Sequence, residues 1–187
     1  MCGELISRIF RGHSADGGKS KAPIVVAGCG VKNSGKTTLL SRVLPLLRER
    51  GLKAAVIKHD GHEFEPDVRG TDSYRLRTAG ALGVAVYSRN TFMVVRQETQ
   101  PSVEGLIPYF RDMDLVLLEG GKNSPYPKVE VVRAAVSSRP VSDPRTLLGL
   151  CSDADLRIEG VPRLSLTDYE GVANLIEQFC ASALTGI

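Results

Sequence analysis

The chain has no paired cysteines, no long apolar run and no block of like charge, and each absence removes a class of function. Cys2, Cys29, Cys151 and Cys180 lie far apart with no CxxC spacing, so neither a zinc site nor a redox pair is indicated. Buried free thiols in a reducing cytoplasm are expected instead. No stretch approaches the roughly 18 to 20 apolar residues of a membrane span, and the N-terminus lacks the apolar centre of a secretory signal. The 24 basic and 21 acidic residues leave a net charge of +3 spread along the chain. That balance argues against nucleic acid as the main partner, and any phosphate binding must be local.

What is present is an ordinary globular mixture, 42% hydrophobic and 24% charged over 187 residues, enough for one core. Residues 11–22, RGHSADGGKSKA, are rich in small and charged side chains. Residues 1–22 are read as a flexible leader and 23–187 as the domain. From Pro23 onward, β-branched apolar runs alternate with amphipathic stretches, the pattern of parallel βαβ units. The fold class expected is α/β: a P-loop NTPase three-layer fold with a mostly parallel sheet. Strands are predicted at 24–27, 52–57, 115–118, 128–133 and 147–151. Helices are predicted at 36–50, 72–79, 102–110 and 168–184, with Pro45 expected to kink the first. Segments 81–88 and 92–97, joined at Arg89 and Asn90, read as an antiparallel hairpin grafted on that sheet.

Immediately after the first strand the chain reads GCGVKNSGKTT, and Gly30 to Thr37 match GxxxxGK[ST] in full. Glycines let the backbone curl into a concave array of N–H groups around a phosphate. Gly30, Asn33, Ser34 and Gly35 build that array. Lys36 adds a mobile charge near the outer phosphates, and Thr37 can join a magnesium shell at the start of a helix whose dipole favours anions. Thr38 is a further candidate phosphate contact, while Lys32 reads as a surface lysine.

Ligands of parallel sheets bind beyond the carboxyl ends of the strands. Glu119 stands there, after Leu115–Leu118 and before Gly120 and Gly121, as a candidate magnesium ligand or water-orienting acid. Asp114, at the other end of that strand, reads as a structural cap. The second strand ends in Lys58-His59-Asp60-Gly61-His62. Lys58, His59 and His62 are candidate nucleotide contacts, and Asp60 is a second catalytic candidate. Thr71 and Asp72 serve equally as helix caps. No Asn-Lys-x-Asp motif selects guanine. Ser152 and Asp153 lie where a base edge could be read, though a simple turn explains them as well.

Taken together, GVKNSGKTTLL, VIKHDGHEFEPDVRGTDSYRLRTAGA, DLVLLEGGK and PKVEVVR resemble the molybdopterin-guanine dinucleotide biosynthesis protein B family over residues 23–155. The resemblance implies GTP, Mg2+, weak GTP hydrolysis and a homodimer. It also implies partnership with the molybdenum cofactor guanylyltransferase and molybdopterin-handling proteins. Gly35, Lys36 and Thr37 would hold phosphate and magnesium, Glu119 would be the family's acid, and His59, His62, Asp67 and Asp72 would match its polar connection. The chain departs from the family pattern at Gly61, Arg69, Thr71 and Gly121. The hairpin resembles the part that relatives use in dimer contacts, which would cover an exposed strand edge. Two other functions use the same loop. An ATP-dependent small-molecule kinase would need a basic lid, for which Arg69, Arg75 and Arg77 are the cluster at hand. A metal-delivery GTPase would need His59 and His62 as ligands.

Overall fold

The computed structural model describes residues 22–185; the leader read at residues 1–22 therefore lies almost wholly outside the described residues, as does Cys2. In chain order the elements are β1 (Ile24–Cys29), α1 (Lys36–Glu49), β2 (Ala54–Lys58), α2 (Asp72–Thr78), β3 (Gly83–Tyr87), β4 (Phe92–Arg96) and α3 (Val103–Leu106). A 3-10 turn (Ile107–Phe110) continues α3. Then come β5 (Leu115–Glu119), β6 (Lys128–Val132), β7 (Leu147–Ser152), β8 (Arg163–Leu164) and α4 (Tyr169–Thr185).

Six strands form one parallel sheet in the order β2-β5-β1-β6-β7-β8. The apolar runs of β1 and β5 are buried on both faces, as a covered parallel sheet requires, and the period of two divides them. Val26, Leu115 and Leu117 face one side, where Leu39, Leu40, Val43 and Leu47 of α1 and Val172, Ala173 and Ile176 of α4 complete the core. Each valine, leucine and isoleucine among them contributes roughly 1.5–3 kcal/mol by leaving water. Val25, Ala27, Val116 and Leu118 face the other side, where the cover is thinner: Val103, Ile107, Phe110 and Tyr126.

Caps follow the sequence reading. Thr71 Oγ1 accepts from the Tyr74 N–H, Ser102 Oγ from Gly105 and Asp168 Oδ1 from Gly171. Asp114 Oδ2 accepts from Lys53 N at 2.8 Å and so anchors the start of β2. Helix α1 runs through Pro45 as one element.

The hairpin differs from expectation in placement. β3 and β4 pair antiparallel, but as a sheet of their own rather than as an addition to the parallel one. The polar connection after β2 carries the chain away before the hairpin forms, and α2 packs on β3. From Lys58 to Asp114 no side chain is buried. Strand β8, only two residues long, is too short for periodicity to register.

Candidate functional site

Strand β1 delivers the chain to a loop whose backbone few residues could adopt. Gly30 has φ +136° and Gly35 φ +105°, and Asn33, at φ +64°, is the one non-glycine with positive φ among the described residues. Asparagine tolerates that region better than other side chains. At Gly30 a Cβ would press into the Val131 carbonyl and lie 2.7 Å from Ser34 Oγ, so space and torsion both demand glycine. Gly35 is also the residue before α1, which lacks a side-chain cap. The first-turn N–H groups are thus left to an external acceptor, the arrangement that suits an anion.

Within the loop, Lys36 Nζ donates to the Val31 carbonyl at 2.7 Å. That bond holds the ammonium against the loop. Ser34 is fully buried, and its Oγ has no hydrogen-bond partner. Thr37 Oγ1 donates to Glu119 Oε1 at 2.6 Å. Residues far apart in sequence meet because β1 and β5 are adjacent and in register at Gly28 and Glu119. Gly120 N donates to the Gly28 carbonyl and extends that register past the strand.

The pair of a hydroxyl and a carboxylate at the start of a helix offers hard oxygen donors, the class that magnesium takes. Magnesium therefore fits Thr37 and Glu119, and there it would neutralise charge on a polyphosphate. Among the described residues no group of three or more His, Cys, Asp and Glu converges. His59 and His62 therefore gain no ligand set from the fold.

The other candidates are placed less tightly. Lys58 pairs with Glu119 across the sheet, and the His59 N–H donates to the Glu119 carbonyl at 3.1 Å, so both border the acid. Asp60 Oδ1 accepts from the His62 N–H at 3.3 Å, and both side chains are exposed. Among the described residues no side-chain hydrogen bond joins Asp60, His62 or Thr38 to the phosphate loop. Hydrogen bonds from Ser73, Val68 and Thr71 hold the Asp67 carboxylate below its ordinary range and organise the turn before α2. Arg77 pairs with Glu65 and Arg75 with Asp72, so two of the three lid arginines are already engaged.

Three features escape the sequence reading. Arg133, just past β6, reaches the loop: its Nε donates to the Ser34 carbonyl at 3.3 Å. Lys128 and Glu130 are fully buried inside a run that otherwise reads as apolar. Lys128 Nζ donates to the Ser124 and Tyr126 carbonyls, both at 2.7 Å, and ties down the connection after Glu119. Glu130 accepts from Val141 N and Ser142 N. Their signal was the charge itself, two ionisable residues spaced by two in KVEVV. Asp153 takes the structural role: its Oδ1 accepts from Ala134 N at 2.6 Å. Gly121 is explained as well, since at φ +68° its Cβ would lie 2.6 Å from Leu118 Cδ2.

A central parallel strand leading through such a loop into a helix, with an acid on the neighbouring strand, defines a P-loop α/β protein. The family model described as "Molybdopterin guanine dinucleotide synthesis protein B" (MobB) matches residues 25–153, and the chain belongs to this family. It is 33% identical over 172 residues to the molybdopterin-guanine dinucleotide biosynthesis adapter protein of Escherichia coli K12, covering 87% of this chain and 95% of that one. The protein of the same name from Haemophilus influenzae is 34% identical over 139 residues, covering 65% of this chain and 78% of the other. Among solved structures, Bacillus subtilis MobB superposes with a TM-score of 0.67 at 26% identity, over 83% of this chain and 96% of that one.

Proposed function

We propose that this protein is a GTP-binding adapter of molybdopterin guanine dinucleotide assembly, with slow Mg-dependent GTP hydrolysis. The observation that carries the nucleotide reading is the 2.6 Å bond between Thr37 and Glu119, which joins the end of the phosphate loop to an acid across the sheet. A structural carboxylate would not need to meet that particular hydroxyl. The pathway follows from family membership and from the name of the Escherichia coli relative, which matches along nearly its whole length.

In this reading the loop amides from Gly30 to Gly35 and the α1 N-terminus bind phosphate, with Asn33 and Ser34 shaping the curl. Lys36 neutralises the outer phosphates, and Thr38 lies on the same first turn. Thr37 and Glu119 hold Mg2+, and Glu119 orients the attacking water, with Asp60 as the second acid. Lys58, His59 and His62 border the terminal phosphate. Slow turnover suits an adapter, whose output is a change of contact rather than a product. The partners are the guanylyltransferase and molybdopterin-handling proteins, in the cytoplasm. No helix among the described residues is long and apolar enough to cross a membrane. A second copy of the chain covers the hairpin, where Tyr87 and Phe92 are 85% and 71% exposed.

Calorimetric titration with non-hydrolysable GTP and ATP analogues, with and without magnesium, tests the proposal. Magnesium-dependent binding that favours GTP is expected. Preference for ATP, together with acceptor-dependent turnover, would replace the adapter by a kinase.

A further inference from the structure

We propose that Arg133 is a second cation of the phosphate site, supplied in cis from the end of β6 to contact the phosphate chain of the nucleotide; this rests on the nucleotide-binding reading above. The guanidinium spans the loop. Nε donates to the Ser34 carbonyl at 3.3 Å, and one Nη lies 3.2 Å from where a Cβ of Gly35 would stand. A Cβ at Gly35 would crowd the guanidinium, a contact that a small shift of the flexible arginine relieves, so it is the φ of +105° that demands glycine there.

Three observations turn this contact into a ligand site. Arg133 is half-buried, and no carboxylate among the described residues pairs with it. Of its five N–H donors, one is used on Ser34, which leaves the fork available to an anion. A partly desolvated cation without a counter-ion is unfavourable unless an anion arrives, and the adjoining helix N-terminus selects the same charge. Next to it, Ser34 Oγ is fully buried and has no hydrogen-bond partner. Finally, the backbone that presents Arg133 is held in place. The Arg133 carbonyl accepts from Val136 N at 2.8 Å and Ser137 N at 2.9 Å, and Asp153 Oδ1 fixes the next amide. Lys36 approaches from the loop's own helix and Arg133 from the neighbouring strand, so a phosphate chain would be flanked on both sides. Arg133 is both a binding group and, through Ser34, a positioning residue for the loop.

The test is calorimetry of inorganic pyrophosphate and GTP against wild type, R133A, R133K and R133Q, with thermal unfolding of each protein free of nucleotide. R133A is expected to weaken both ligands roughly tenfold to a hundredfold, the range for one charge-assisted contact. R133K should recover part of the loss and R133Q almost none, with unliganded melting temperatures close to wild type. A Gln variant that binds like wild type would reduce Arg133 to a brace for the loop, and unchanged affinity in R133A would remove it from the site. If R133A does not fold, Lys and Gln variants of equal affinity overturn the proposal just as clearly. Wild-type protein that binds neither pyrophosphate nor GTP would overturn the nucleotide reading itself, a distinct outcome.

Discussion

At the scale of single residues the proposed phosphate site divides into groups assigned to binding and groups assigned to hydrolysis. The Lys36 ammonium rests on the Val31 carbonyl as its one side-chain hydrogen bond among the described residues, so Lys36→Ala removes charge without opening the core. Nucleotide affinity should fall by roughly a hundredfold or more with the circular dichroism spectrum unchanged. Glu119→Gln keeps the shape of the bond to Thr37 but removes the carboxylate charge. It should still bind nucleotide and lose hydrolysis by on the order of a hundredfold in single-turnover assays. Wild-type turnover in that variant would return Glu119 to a structural role. Both residues are singled out from sequence, Lys36 by its motif and Glu119 by its place after an apolar strand, and the fold brings Glu119 to Thr37, the neighbour of Lys36. Arg133 closes the PKVEVVR stretch that carries the resemblance but has no role legible there, because only the adjacency of β1 and β6 brings it to Ser34.

Among the elements, the loop between β1 and α1 shows how backbone geometry sets tolerance. Gly30→Ala meets both a disallowed φ and the Val131 carbonyl, whereas Gly51→Ala, at φ +84°, has nothing within 4 Å. The first should cost about 3 kcal/mol and the second about 1 kcal/mol in urea unfolding. Equal costs would mean that the loop relaxes freely around residue 30. Periodicity located the long elements within a few residues, since Leu39, Leu40, Val43 and Leu47 and the strand runs carry the core. It placed the hairpin as a pair but not its setting. Two strand-like runs, GVAVY and FMVVR, joined by the short turn at Arg89 and Asn90 specify pairing between the two strands, and no local signal states whether a third strand lies alongside. Lys128 and Glu130 were hidden for a related reason: burial of a charge depends on partners contributed by other segments.

For the whole molecule, two predictions concern surface and solvent. Tyr87, Phe92 and Val94 share one exposed face of the hairpin, so if the proposed dimer forms there, Phe92→Asp should leave monomers in sedimentation experiments. A wild type that sediments as a monomer at high concentration would remove the dimer. The second prediction follows from the buried thiols. Burial pushes Cys29 and Cys180 up to about 11 and Cys151 up to about 12, from 9.0. Above pH 9.0 the unfolded chain releases these protons first, so it binds fewer than the folded one and stability falls as pH rises towards 11 to 12. The loss should reach about 1 kcal/mol per thiol at pH 10 and be absent below pH 8, as read by urea midpoints. A flat profile to pH 10 would mean that the thiols are open to water. The stretch from Lys58 to Asp114, where no side chain is buried, gives the molecule two clocks. Amides of β1, β5 and β6 can exchange with deuterium only when the whole core opens, whereas those of β3 and β4 can exchange by local opening while the phosphate loop stays formed. An encounter that orders the hairpin would slow the second clock and leave the first unchanged, so docking of a partner and occupation of the loop can be timed separately in one protein.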